Sequence, residues 1–343
     1  MVTRVVAIIL HAVPAPGAGT LETAFALARA ANAARHARGF EAAGAVARIV
    51  ETRAGGPPFG ARLRRLAALD AGAGFVVLGS GSAPLATPAD RRAFVAAAAG
   101  SGAALANNRY SSDVVAIPAR APLAELPDLT ADNGLPRWLE ERGHEVRDLR
   151  ARWRLQVDLD SPLDVLVAGQ AGRSDPAFER VRATIDRIRT LTRDPRAELL
   201  VAGRTSAATL AWLETATASR TRALVEERGM RTAAADQRPA RAMLGIVLDR
   251  EGPEALGGVL ARLADAAAID SRVLLAHRLG IDAAGWPPAE DRFASDLLIP
   301  EGIADPWLRA LTQAAAHAPI PVLLGGHTLV GPGLRLVLGR RAP

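Results

Sequence analysis

Two carboxylates one residue apart stand in the segment Val157-Asp158-Leu159-Asp160-Ser161-Pro162-Leu163-Asp164. On an extended chain, side chains at i and i+2 project to the same side, so Asp158 and Asp160 would lie together and repel. A bound cation relieves that repulsion, and a hard ion such as Mg²⁺ takes one or two carboxylates plus substrate phosphates. The same residues also read as a strand end at Asp158 followed by a helix start. Asp160 or Ser161 is then the cap and Pro162 the first helical residue. Spacing supports both readings.

Three further stretches of the first half carry polar chemistry. Pro14-Ala15-Pro16-Gly17-Ala18-Gly19-Thr20 leads into a helix, and its amides could hold a phosphate at the positive helix end; a plain turn is the alternative. Leu78-Gly79-Ser80-Gly81-Ser82 follows a strand, where ligands of open α/β sheets bind. Asn107-Asn108-Arg109-Tyr110-Ser111-Ser112-Asp113 could read a base or bind an acidic acceptor. It could equally be a turn whose Asx side chains satisfy backbone groups. In the second half, Gly203-Arg204-Thr205-Ser206 at a helix start is an anion-site candidate. Glu226, His277, Asp296 and His327 are metal ligands or acid–base groups if their loops converge, though they match no ligand spacing. A histidine after a strand is otherwise a hydrogen-bonded one.

Composition excludes several chemistries outright. All 42 basic residues are arginine and cysteine is absent. There is therefore no Walker lysine, Schiff base, lysine base, thiolate nucleophile, disulfide or cysteine-ligated metal. The net charge of +6 over 343 residues is small, the arginines are scattered, and only 4% of residues are aromatic, so nucleic acid is not an expected partner. The arginine-for-lysine usage and an alanine content of about a fifth fit a GC-rich coding bias. Residues 5–13 are apolar but interrupted by His11, and read as a buried strand rather than a signal peptide. No apolar stretch is long enough to span a bilayer, and a cytoplasmic protein is expected.

The elements that must position these residues alternate between strand and helix. Strands are expected at 5–10, 46–50, 75–78, 114–117 and 155–158. Helices are expected at 21–37 after Thr20, at 60–69, after the Thr87-Pro88 start, and at 135–142. The pattern breaks near 168–172, a helix runs from Asp175-Pro176 to about 192, and the alternation restarts. Strands then fall at 198–202, 221–225, 272–276, 321–324 and 334–338. Helices fall at 205–217, twice within 240–267, and at 306–317. This is an α/β chain of two domains with mainly parallel sheets, spanning 1–168 and, after a connecting helix at 169–195, a smaller second domain at 196–343.

In order and context, the first 167 residues resemble the compact nucleotidyltransferases of the GT-A-like fold, particularly the 2-phospholactate and molybdenum-cofactor guanylyltransferases. The resemblance rests on the buried first strand, the turn and helix of 56–69, Ser80-Gly81-Ser82-Ala83-Pro84-Leu85-Ala86-Thr87-Pro88, and Asp132-Asn133 with Leu135. It closes with 157–164, which is similar to the family's Asp-x-Asp-[Thr/Ser]-Pro-x-Asp element. It implies a Rossmann-like sheet and a nucleotide held near Gly17, Gly19, Gly60, Ser80, Ser82, Asn107, Asn108 and Asp113. It also implies Mg²⁺ or Mn²⁺ held by Asp158 and Asp160. An acceptor oxygen would attack the α-phosphate of a nucleoside triphosphate and release pyrophosphate. The loop 10–17 lacks the family's basic residue, and Ser80 and Ser82 stand where an aspartate is usual. The second half resembles no named family.

Three functions follow. One is a divergent, metal-dependent nucleotidyltransferase acting on a small phosphorylated or carboxylated acceptor. Another is a non-catalytic ligand-binding or assembly protein on the same fold. The third is an enzyme whose site lies in the second domain, at Arg204, Thr205, Ser206, His277, Asp296 and His327. Expected partners are a nucleotide or small acidic ligand, with no nucleic acid or membrane; alanine- and leucine-rich helices leave room for a homo-oligomer.

Overall fold

A computed structural model describes residues 3–172, 175–226, 239–280 and 283–339. Contacts divide the chain into two units, Met1–Ala18 with Thr23–Leu159 and Gly19–Glu22 with Asp160–Pro343. Both are α/β.

The first unit follows the order β1 (Val5–Ala12), α1 (Thr20–Glu41), β2 (Val46–Thr52), α2 (Phe59–Ala68), β3 (Gly74–Gly79), α3 (Pro88–Ala99), β4 (Ala104–Ala106), β5 (Val114–Ile117), α4 (Leu135–Glu141) and β6 (Val146–Asp148). The start of α1 groups with the second unit. The sheet order is β2-β1-β3-β5-β4-β6, and only β5 pairs antiparallel with its neighbours. Alternate residues of the strands feed two cores. Val6, Ile8, Phe75 and Val77 pack with Phe59 and Leu63 of α2 and Leu135 and Leu139 of α4. Val5, Ala7, Ile9, Val76 and Leu78 pack with Ala33 and Phe40 of α1 and Phe94 and Ala98 of α3. Burial on both faces is why these strands read as continuous apolar runs. Thr87 starts α3 through a reciprocal capping box with Asp90, and Pro88 is in the first turn. The expected strand at 155–158 is instead a 3₁₀ turn, Trp153–Gln156, which buries Leu155. Only a single bridge, Asp158 to Ser82, remains of the expected pairing.

The second unit begins with α5 (Pro162–Val167) and α6 (Glu179–Leu191). It continues with β7 (Glu198–Gly203), α7 (Ala207–Ala216), β8 (Arg220–Val225), α8 (Met243–Glu251), α9 (Leu256–Ala261), β9 (Ala266–Asp270) and α10 (Ser271–Leu279). It closes with α11 (Ala289–Asp296), α12 (Pro306–Ala316), β10 (Val322–Gly325), α13 (His327–Val330) and α14 (Leu334–Leu338). Four parallel strands run in the order β10-β9-β7-β8. Residues 160–168, expected with the first half, belong here, because Leu163 packs with Val181 and Ile185 of α6 and with Leu323 of β10. The second sheet has fewer strands than the first, but its unit takes the longer share of the chain.

Three expectations for this half are corrected. The alanine-rich stretch ending at 267 was expected to be helical, yet Ala266-Ala267-Ala268-Ile269-Asp270 is β9. It is buried between β7 and β10, where tertiary burial overrides alanine's helix propensity. The strand expected at 272–276 is the helix α10. The strand expected at 334–338 is the helix α14, with Leu334 and Val337 buried on one face. Arg189 donates to the Val337 carbonyl at 2.5 Å, meeting a helix-end acceptor that no sequence pattern announces. Among the described residues no helix is long and apolar enough to cross a membrane.

Candidate functional site

At the carboxyl ends of β1 and β3 the first unit opens a cleft of about 170 Å³. Leu10, Phe59, Val77, Val115 and Leu135 give it an apolar floor, and Arg29, Asp113 and Asp132 are its charged walls. Asp113 precedes β5 and is held by Asn107, whose Nδ2 donates to Asp113 Oδ2 at 3.0 Å. Asn107 is fully buried and satisfied on every side. It also donates to the Leu155 carbonyl at 2.9 Å and accepts from the amides of Asp113 and Val114. Asn108 accepts from the Tyr110 amide at 3.1 Å in an Asx turn. Of this polar stretch, Asp113 faces the cleft while the asparagines build the loop that presents it.

The loop after β3 is clamped from two elements. The Ser80 hydroxyl lies 3.1 Å from His11 Nδ1, and Asn32 Nδ2 of α1 donates to the Ser80 carbonyl at 2.9 Å. His36 Nε2 donates to the Ser82 carbonyl at 2.8 Å. Burial, helped by Arg29, lowers the His11 pKa against the pull of Glu51. Burial lowers that of His36 to about 4, so both rings are neutral near pH 7. Ala83 follows at φ 41°, a left-handed conformation costly for a residue with a Cβ and typical of functional loops. Ser80 and Ser82 are buried, and they follow Gly79, which lines the cleft.

Gly19 and Gly60 are explained by close packing rather than by a nucleotide. The amides of Leu21 and Glu22 donate to the Glu290 carboxylate at 3.0 and 2.9 Å, so the anion at the start of α1 is the chain's own. A Cβ on Gly19 would lie 2.2 Å from the Glu290 carboxyl carbon. At Gly60 a Cβ would lie 1.9 Å from the Pro127 carbonyl oxygen, while the Gly60 amide donates to Leu129 at 2.9 Å. Gly17 takes a left-handed turn at φ 81° with open space around it.

In the second unit a network of buried charges gathers beyond the ends of β7, β9 and β10. Order reverses between β7 and β9, the switch point where ligands of open parallel sheets bind. Arg204 pairs with Asp270 through two bonds of 2.7 and 3.1 Å, and Arg272 pairs with Asp296 through two of 2.6 Å. Arg272 also donates to Ser271 Oγ at 2.9 Å. Asp164 accepts from the Asp160 amide and the Ser161 hydroxyl, both at 3.0 Å, and its Oδ1 is buried without a partner. Burial, then the nearby charges of Asp160 and Asp296, push the Asp164 pKa well above the usual carboxylate range. Burial also raises that of Asp296, against the pull of Arg272. His327 Nδ1 lies 3.3 Å from the Asp160 carboxylate.

Asp296 and His327 thus meet around Asp160 and Asp164, as convergence of the loops required. His277 does not join them. Its Nδ1 accepts from the Ala242 amide at 3.0 Å and its Nε2 lies 2.9 Å from Asp249, the hydrogen-bonded histidine of the plainer reading. Ser206 caps α7 by accepting from the Thr209 amide, and the Thr205 hydroxyl is buried without a partner. Glu226 accepts from the Met243 amide at the start of α8; residues 227–230 of its expected loop lie outside the described residues.

No protein family, curated protein or solved structure matches this chain.

The two carboxylates expected to share a cation fall in different units. Asp158 ends the first, its Oδ1 accepting from the Leu159 amide at 2.9 Å, and Asp160 opens the second beside His327. Among the described residues no three His, Asp or Glu side chains could hold a metal by themselves. The donor set fits only an ion that arrives with a ligand's phosphates, to which Asp158 offers one carboxylate. Sequence reading passed over Arg29 and the ion pairs of Asp270 and Arg272. Arg29 lies mid-helix among alanines, a context that signals only a solvated face.

Proposed function

We propose that the first unit binds a nucleoside triphosphate and passes its nucleotidyl group to an oxygen of a small phosphorylated or carboxylated acceptor. The observation that carries this reading is the cleft at the ends of β1 and β3. Its apolar floor suits a base, and two carboxylates offer acceptors to base or sugar donors. In the reaction the acceptor oxygen bonds to the α-phosphorus, and the bond to the bridging oxygen breaks, with pyrophosphate leaving. A divalent ion brought in on the phosphates would supply charge neutralisation. The chain's part is positioning. Asn107 fixes Asp113, and His11, Asn32 and His36 hold the loop of Ser80 and Ser82 rigid.

Melting curves with GTP or CTP and Mg²⁺ or Mn²⁺ test the reading. At a hundred times the dissociation constant, binding adds about 2.7 kcal/mol, a rise of several degrees. Asp113→Asn and Asp158→Asn should shrink that rise while leaving the unliganded melting temperature near wild type. No rise with any nucleotide would sink the proposal.

A second reading places the chemistry in the second unit, favoured by the unpartnered Asp164 Oδ1 within a charged cluster at a sheet switch point. On that reading Asp296→Asn abolishes turnover or ligand binding, and Asp158→Asn leaves both intact.

A further inference from the structure

Arg29 is the arginine that lines the cleft. Among the described residues no carboxylate pairs with its guanidinium, whereas Arg48, Arg152, Arg204 and Arg272 each hold a buried aspartate. Its Nε is buried without a hydrogen-bond partner, and its guanidinium carbon lies 5.7 Å from the centre of the Phe25 ring. A buried donor left unmet costs free energy, which a partner brought by a bound ligand would recover. Arg29 comes from α1 on one face of the sheet, while Asp132 immediately precedes α4 on the other, and both line one cleft. The cleft is polarised from a cationic end to an acidic one. His11, beside Arg29, is neutral and does not share the cationic role.

Gly81 packs closely at the cationic end. A Cβ there would lie 3.1 Å from Arg29 Nε, 3.1 Å from Asp158 Oδ1 and 2.7 Å from the Leu159 carbonyl oxygen. Arg29 Nε and the Asp158 carboxylate thus both lie against the Gly81 backbone, which also accepts from the Leu159 amide at 3.0 Å. A polyphosphate entering the cleft would meet the planar fork of Arg29, which matches phosphate oxygens in pairs.

We propose that Arg29 grips the β- and γ-phosphates of the bound ligand, fixing its polarity so that its hydrogen-bond donors meet Asp113 and Asp132. The assignment rests on the nucleoside triphosphate reading of this cleft. Calorimetric titration of the full chain with GTP, guanosine and inorganic triphosphate tests both. The variants are Arg29→Gln and Arg29→Lys, each checked for an unchanged melting temperature. Arg29→Gln should weaken GTP and inorganic triphosphate by about 10- to 100-fold and flatten the salt dependence of both, leaving guanosine unchanged. Arg29→Lys, keeping the charge without the fork, should recover only part of the loss. Equal weakening of GTP and guanosine, or no effect on GTP, overturns the role of Arg29 while the nucleotide reading stands. Arg29-dependent binding of inorganic triphosphate without discrimination between GTP and triphosphate overturns the nucleotide reading and keeps the grip. Wild-type protein that binds none of the three overturns both.

Discussion

Single residues carry much of what is specific here. His36 sits in the core between Phe40 and the Ser82 carbonyl, with its Nδ1 buried and unpartnered. Burial lowers its pKa from 6.5 to about 4, so its contribution to stability is full above pH 6.5 and is lost as pH falls toward 4. Integrated over that window the loss is about 3 kcal/mol. Urea unfolding at pH 7 and pH 4.5 should show it. His36→Gln, which can keep the bond to Ser82 without titrating, should remove His36's share of the pH slope. At this scale Ser80, Ser82 and His327 stand out because polar residues after strands are conspicuous, and Asp113 and Asp160 because they lie in polar stretches, while Asp296 carries no such local signal. It could not show that Asn107 and Ser80 act from buried positions, since that depends on partners dozens of residues away.

At the scale of elements, local chemistry was legible wherever it was self-contained. The Thr87-Pro88-Ala89-Asp90 start of α3 is complete within four residues, and Asp305 with Pro306 starts α12 in the same way. The start of α1 is not self-contained. Its acceptor is Glu290, where the sequence left a phosphate and a plain turn as the alternatives. Glu290→Ala should destabilise the chain by about 0.5–2 kcal/mol, the span for a partly buried carboxylate meeting helix-start amides. Added phosphate should recover part of the loss in melting temperature, since the vacated amides then face solvent. Full stability in Glu290→Ala would show that the carboxylate does not matter to the helix. Two of the misread elements show how neighbours decide. Residues 266–270 form a strand against alanine's helix preference, and residues 334–338 form a helix despite an apolar alternation; in both, packing against neighbours decides.

Across the whole molecule, opposing titrations set the response to pH. His36 favours the folded chain at higher pH. Asp164 and Asp296 act in the opposite sense, because their folded pKa values are raised by burial. Their contribution is full below the unfolded carboxylate pKa and is lost as pH rises through the folded one. Stability measured from pH 4 to 9 should therefore decline toward the alkaline side, and Asp164→Asn should reduce that decline. An unchanged alkaline slope in Asp164→Asn would show that Asp164 is ionised throughout. The amino-acid sequence by itself determined the α/β class, the absence of lysine and cysteine chemistry, and most strands and caps, because periodicity and capping are encoded within a few residues. Tertiary structure alone decided that Asp158 groups with the first unit and Asp160 with the second, that Asp160, Asp164, Asp296 and His327 gather, and that Arg29 lines a cleft with no carboxylate ion pair among the described residues. Those outcomes depend on long-range burial and pairing, which residue spacing along one chain does not contain.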